Sequence, residues 1–190
     1  KRGMGVWTND HDSPFRGGAN VGDRIRMADQ ATGQDVFIRG FATRGHVGGM
    51  CVSAIDIAAV MDAMGKDIII SETVGVGKDE IEVAAVADCS VVVTVPGLGD
   101  DIQAIKAGIL ERADIFVVNK ADRDGAIRTA KDLEMMLELS PGLRAWQPPV
   151  IKTIAPKREG IEELRESITK FVQENSNSNK CLARLVYAAQ

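Results

Sequence analysis

Residues 68–77 read Ile68-Ile69-Ile70-Ser71-Glu72-Thr73-Val74-Gly75-Val76-Gly77. A β-branched run enters a carboxylate and two glycines follow. This is the pattern of a buried strand that ends in an acid and then lets backbone approach a ligand closely. Ligands of open α/β sheets bind just beyond the carboxyl ends of strands, where Glu72 and Gly75 would fall. The chemistry on offer is magnesium coordination by the carboxylate and donation of the Gly75 N–H to a phosphate oxygen. The alternative is a plain glycine-rich turn between strand and helix. Asp10 and Asp23 bracket a loop holding Ser13-Pro14-Phe15 and Gly17-Gly18. Magnesium takes hard oxygen ligands, keeps several waters, and usually adds one or two carboxylates to phosphate oxygens. Asp10 at one strand end, Asp23 on a loop and Glu72 at a second strand end form a candidate set for one such ion. Taken singly, Asp10 also suits a turn and Asp23 a helix N-cap.

Asn119-Lys120-Ala121-Asp122 follows directly on the apolar run 115–118. The Asp122 carboxylate can accept hydrogen bonds from both N1–H and the 2-amino group of guanine. Adenine has an acceptor at N1 and no 2-amino group, so the same carboxylate would go unpaired against it. The Lys120 stem can lie across the base plane, and Asn119 can tie neighbouring loops together. A surface turn rich in Asn, Lys and Asp is the competing explanation, and the position after a buried strand favours the base site. Further on, the run 150–154 leads into Ala155, whose backbone N–H is the candidate donor to guanine O6, flanked by Ile154 and Pro156.

Other patterns offer less. Gly77-Lys78 imitates the end of a GxxxxGK(S/T) phosphate loop, but Glu72 stands at the first glycine and Asp79 at the magnesium-binding hydroxyl. No such motif occurs in these residues. His11 and His46 lack metal-ligand spacing with each other or with cysteine and read as solvated loop residues. Cys51, Cys89 and Cys181 are odd in number and unevenly spaced, and Cys51 and Cys89 sit among apolar residues. They read as small core side chains in a reducing, cytosol-like compartment rather than a disulfide or zinc framework.

The elements that must position these residues follow from composition and periodicity. One domain of 190 residues, 45% hydrophobic and 26% charged, can bury a real core. Aromatics are only 4% while Val, Ile and Ala abound, which suits a buried parallel sheet. A net charge of −4 without a basic tract, and no apolar run of membrane-spanning length, argue against nucleic-acid and membrane partners. Strands are expected over 4–9, 36–39, 68–71, 89–95, 115–118 and 150–154. Helices are expected over 23–31, 52–64 (carrying Ile55, Ala58, Ala59 and Met61 on an apolar face), 79–87, 100–112, 126–139 and 161–172. Such alternation implies an α/β fold, a mostly parallel sheet with flanking helices and right-handed crossovers. Residues 1–174 then form the folded domain and 175–190 a polar linker with a short C-terminal segment. Gly3 before Met4-Gly5-Val6-Trp7 reads as a helix C-cap running into a strand, so the sequence is expected to begin inside a fold.

Read together, the stretches 13–18, 22–27, 72–77, 96–109 and 117–122 resemble the GTPases that act as chaperones for adenosylcobalamin-dependent methylmalonyl-CoA mutase, the MeaB/ArgK type. The resemblance covers residues 2–172, and the second and fourth stretches are particular to that family. It implies a P-loop NTPase G domain of the branch that includes signal-recognition and nickel-insertion GTPases, N-terminally truncated before its first strand. It also implies Mg2+ and GTP or GDP as ligands, an acyl-CoA mutase of the adenosylcobalamin-dependent class as partner, and a homodimer in the full-length protein. The location implied is bacterial or archaeal cytoplasm, or the mitochondrial matrix in a eukaryote. On this resemblance Asp10, Asp23 and Glu72 belong to the magnesium and switch region, and Gly75 serves the γ-phosphate. Asn119, Lys120 and Asp122 bind guanine, with Ile154, Ala155 and Pro156 in the second base loop. Residues 96–106 form a further switch loop in which Gln103 and Lys106 are candidates to sense phosphate charge. The sequence departs from the family at Asp10-His11-Asp12-Ser13, where Asp-Pro-Ser-Ser is usual, and at Ile154, where the base loop usually has serine. The fragment alone is expected to hydrolyse GTP poorly. Two further readings are a mutase-binding adaptor without turnover and a metal-insertion GTPase.

Overall fold

A computed structural model describes residues 3–10, 36–42, 49–72, 87–97, 111–139 and 146–175. Six strands lie in these residues: β1 (Gly3–Asp10), β2 (Val36–Ala42), β3 (Lys66–Glu72), β4 (Val91–Thr94), β5 (Ile115–Asn119) and β6 (Val150–Thr153). Three helices accompany them: α1 (Gly49–Ala63), α2 (Ala126–Leu139) and α3 (Ile161–Asn175). Every pairing is parallel, and α1 and α2 lie between parallel strands, so the chain is α/β as expected. The strands are hydrogen-bonded as two three-stranded sheets, in the orders β2-β1-β3 and β4-β5-β6. Among the described residues no ladder joins β3 to β4, where the alternation had suggested a single sheet. The expected helices over 23–31, 79–87 and 100–112 lie outside the described residues, apart from Ala87 and residues 111 and 112, none of which is helical here.

The second sheet holds the best-defined core. β5 is its central strand, and Ile115, Phe116, Val117 and Val118 are all buried. Because side chains alternate along a strand, these four residues divide between two faces. Ile115 and Val117 join Cys89, Val91, Ile151, Phe171 and Val172 on the face covered by α3. Phe116 and Val118 join Val92, Ala113, Ala126, Ala130 and Leu133 on the face covered by α2. Ala126, Ala130 and Leu133 stand at i, i+4 and i+7, the helical stripe that meets a flat sheet. Cys89 is fully buried, in keeping with its reading as a core residue.

At the amino end of this sheet a polar clamp fixes the strand entries. The Ser90 N–H donates to Asp114 Oδ2 at 2.8 Å, and the Trp146 indole N–H donates to the Asp114 carbonyl at 2.8 Å. The Trp146 ring meets Phe171 edge-on with centroids 5.1 Å apart, and Lys170 Nζ lies 5.8 Å from the same ring centre.

The first sheet corrects two expectations. The Ile68-Ile69-Ile70 run was read as a buried strand, yet only Ile69 and Ser71 are fully buried and Ile68 is 46% exposed. β3 pairs only with β1 among the described residues, and one of its faces is open. The helix after β2 was expected to bury Ile55, Ala58, Ala59 and Met61 together. α1 instead rests on Ala58 and Met61, with Ile55 and Ala59 exposed. Apolar residues lie all round this helix, so periodicity did not single out its buried face.

The core assignment predicts a sharp contrast within α2. Leu133→Ala should cost about 2–5 kcal/mol through lost burial and a cavity. Leu139→Ala, at a position 77% exposed, should stay within about 0.5 kcal/mol. Urea unfolding of both variants checks this, and equal losses would contradict the placement. At the start of α3, the Glu162 carboxylate accepts hydrogen bonds from the Arg165 guanidinium, which holds its pKa below the usual carboxylate range. A depressed carboxylate stabilises above its unfolded pKa and loses that contribution as pH falls through the folded value. Glu162→Gln should therefore lower the melting temperature slightly at neutral pH and leave it unchanged once the solution is acid enough to protonate Glu162. A gap between the two proteins that persists in acid would count against this.

Candidate functional site

Both sheets present their carboxyl ends to the candidate residues. In the second sheet, β5 ends in Asn119 and β6 in Thr153, and these two are register partners. The pairing continues into the turn, where the Ala121 N–H donates to the Thr153 carbonyl at 3.0 Å. Asn119 Oδ1 accepts two hydrogen bonds from the β6 side: Thr153 Oγ1–H at 3.1 Å and the Ala155 backbone N–H at 3.3 Å. The two loops expected to surround a base are thus laced together by one amide oxygen, the role anticipated for Asn119. An amide whose oxygen is engaged in this way leaves Nδ2 as its remaining donor.

Lys120 sits in the left-handed region at φ 56, unusual for a side chain of its size and a mark of backbone strain at this turn. The bend is closed by the Arg123 N–H donating to the Lys120 carbonyl at 3.0 Å. Lys120 and Asp122 are both exposed at this turn, where an incoming base can reach them. On the facing loop, Ala155, Pro156 and Lys157 form one 3-10 turn. Ile154 closes the loop through its N–H, which donates to the Glu159 carbonyl at 3.1 Å. Pro156 has no N–H of its own, and the Lys157 N–H is spent on the Ile154 carbonyl at 2.9 Å. Among the Ile154, Ala155 and Lys157 N–H groups, that of Ala155 makes the longest bond, 3.3 Å to Asn119 Oδ1.

Gly160 ends this loop at φ +73, and a Cβ there would overlap the Lys152 carbonyl oxygen. The close approach presses the start of α3 against β6 and makes glycine a steric necessity. A Cβ added to Gly125, at φ +89 just before α2, would come within 4.0 Å of the buried Pro96. The exit of the base loop and the first residue of the 96–106 segment are therefore neighbours.

In the first sheet, Asp10 is the last residue of β1 and Glu72 the last of β3. The pairing of Thr8 with Glu72 puts the two acids at the same carboxyl end of adjacent strands, two residues apart in register. Glu72 is half-buried. These are hard oxygen donors of the kind magnesium takes. Asp23, Gly75, Gln103 and Lys106 lie outside the described residues. Among the described residues no group of three His, Cys, Asp or Glu side chains is assembled for a metal ion.

Thr153, and the reason for Gly160, escaped the sequence reading. Thr153 is a buried hydroxyl whose importance comes from standing opposite Asn119, which only strand register reveals. Gly160 did carry a sequence signal, as a glycine just ahead of a helical pattern, but not the reason for it.

Parallel strands flanked by helices, with an Asn-Lys-x-Asp turn laced to the loop after the next strand, agree with the α/β fold of the P-loop GTPase class. Residues 2–185 match the family described as methylmalonyl Co-A mutase-associated GTPase MeaB, and the chain belongs to that family. It is 50% identical over 168 residues to a protein of Pyrococcus abyssi that bears a GTPase name (87% of this chain, 52% of the relative). It is 39% identical over 166 residues to GTPase ArgK of Escherichia coli (85% and 50%). To the mitochondrial methylmalonic aciduria type A homolog of Mus musculus it is 32% identical over 185 residues (95% and 45%). The chain spans about half the length of the curated relatives it matches.

The close packing at Gly160 yields a prediction for the site. Gly160→Ala should push β6 and the 154–159 loop apart, and the Ala121 amide should exchange with deuterium much faster than in the unmodified protein. Unchanged protection at Ala121 would show that the loop absorbs the extra carbon without moving.

Proposed function

We propose that the full-length protein binds Mg-GTP and hydrolyses it slowly, using the turnover to gate cofactor loading or protection of an adenosylcobalamin-dependent acyl-CoA mutase. The observation that carries this reading is the Asn119 bridge, which ties the turn containing the exposed Asp122 to Thr153 and Ala155. In the proposed site Asp122 accepts from guanine N1–H and the 2-amino group, the Lys120 stem lies along the base, and Ala155 gives its N–H to O6. Asn119 Nδ2 faces the N7 acceptor of the purine.

Asp10 and Glu72 stand at one sheet end, and with Asp23 they are the residues that would hold magnesium. When bound, the ion would neutralise phosphate charge. Glu72 and Gly75 would orient water and the γ-phosphate by position rather than by covalent chemistry. Lys106 would add charge from the 96–106 segment, whose first residue lies near Gly125 at the exit of the base loop. The mutase partner is supported by the family's description, and the Mus musculus relative, the methylmalonic aciduria type A homolog, carries a mitochondrial name. A homodimer and a location in cytoplasm or mitochondrial matrix belong to the same proposal. Among the described residues no helix is long and apolar enough to cross a membrane.

Asp122 offers the direct test. Asp122→Asn in the full-length protein exchanges an acceptor for an amide, removing two charge-assisted hydrogen bonds. GTP affinity should fall by about a hundredfold or more. Xanthosine triphosphate, whose 2-oxo group accepts where guanine donates, should bind the variant better than the unmodified protein. Calorimetric titration with both nucleotides decides it, and an unmodified protein that binds ATP as tightly as GTP would refute the guanine reading.

A further inference from the structure

We propose that the outer face of α2 is a docking surface for a second copy of this chain, packed antiparallel to the first. A homodimer is already proposed above, and α2 supplies a surface for contact between its subunits, independent of the guanine site. Ala126, Ala130 and Leu133 turn α2 onto the second sheet. On the other side of the helix Ile127, Met135 and Leu139 are 66%, 57% and 77% exposed. With the exposed Lys131 they stand at i, i+4, i+8 and i+12, a ridge of the kind along which one helix packs on another. Single apolar residues scattered over a surface are ordinary. Three on one ridge, opposite a face already buried, give α2 a second apolar stripe that faces solvent.

The charges beside the ridge select the occupant. Arg128 and Lys131 lie in the amino-terminal half of α2, and Asp132, Glu134 and Glu138 in the carboxyl-terminal half. No acid stands in the first turn and no base in the last, the reverse of what the helix dipole favours. Arg128 meets Asp132 at 3.8 Å, while Glu134 and Glu138 are like charges at i, i+4, which repel. A partner of one charge sign would be repelled at one end of such a ridge. The same ridge turned end for end is attracted at both. With Ile127 set opposite Leu139 of the second copy, Arg128 falls opposite Glu138 and Lys131 opposite Met135, beside Glu134. Two-fold symmetry makes each of these contacts twice. The two helix dipoles also oppose each other, so the unfavourable charge order within one helix is compensated by the next. A 14-residue helix is about 21 Å long and about 10 Å wide. One such pair covers less than the about 1,200–2,000 Å² of a stable interface, so this contact by itself is weak and sensitive to salt.

The test uses the full-length protein. Ile127→Cys and Leu139→Cys are made separately, one carrying a tag that separates it on a gel, and each is treated with a short bis-maleimide alone and after mixing. The mixture should give cross-linked heterodimer several times faster than either variant alone gives homodimer. Antiparallel register sets 127 against 139 and holds like positions about 18 Å apart along the helix. Glu138→Arg should weaken self-association about tenfold by sedimentation, since two contacts turn repulsive at once. It should not lower the melting temperature, because a base in the last turn suits the helix itself. Adding Arg128→Glu should bring association back to within about threefold of the unmodified protein. Equal cross-linking in the mixture and the controls, or unchanged sedimentation of Glu138→Arg, would overturn the proposal. So would cysteines at 127 and 139 that resist maleimide without cross-linking, which would show another part of the full-length chain covering α2. None of these variants should alter the preference for GTP over ATP, so a protein without that preference fails the guanine reading alone.

Discussion

A strand hydrogen-bonded on both edges and covered on both faces can meet solvent only at its ends, and β5 is such a strand. Ile115 to Val118 are spent on two clusters under α2 and α3, so the first residue free to do chemistry is Asn119. The backbone must then turn at once, and it does so through a left-handed Lys120. That conformation costs about 1–3 kcal/mol and persists only where surroundings over-determine it. Here the surroundings are the Ala121-to-Thr153 and Arg123-to-Lys120 hydrogen bonds on either side of the strained residue. The packing of the second sheet and the shape of the base turn are therefore one problem, solved together.

The same constraint explains which parts of the molecule could be read from the chain. A strand apolar at every position has only one reading once its length is known, so β5 was legible, and the polar residues at its end stood out as a site. α2 and α3 were legible because charge marks their outer faces. α1 was not, since an apolar residue on either side of Ala58 and Met61 gives the same sequence signal whether or not it touches the sheet. Ile68 misled for a related reason. A β-branched run is compatible with burial on both faces, and β3 closes only the face that carries Ile69 and Ser71.

The candidate site divides along the same line. Asn119, Lys120 and Asp122 form a contiguous motif, and contiguity is what a sequence displays. Their partners come from a strand and loop more than thirty residues away, as the separation of Asn119 from Thr153 and Ala155 shows. Ala155 could be proposed from its place after the next strand. Thr153 could not, because a threonine in a strand is ordinary until its register partner is known. The acids of the first sheet are an intermediate case. Asp10 and Glu72 each looked like a strand-end residue, and the β1–β3 ladder brings those two strand ends together.

On the guanine reading proposed above, recognition would separate the part of the site that is prepared from the part that must change. The strained Lys120 turn and the buried Thr153 hydroxyl are in place before any ligand arrives, so their cost falls on folding and not on binding. The Ala155 contact is different. It satisfies Asn119 Oδ1 with a long bond, and in the proposed base site the same N–H would be the donor to guanine O6. Exchanging that bond for the ligand's leaves the number of hydrogen bonds unchanged, so little is lost when the base enters. A base with a donor at that edge, such as adenine with its 6-amino group, would set one donor against another and could not accept the Ala155 N–H. Selection against adenine would then act at two points, the Asp122 carboxylate and the Ala155 amide, and Asn119 is the residue through which the second is held ready.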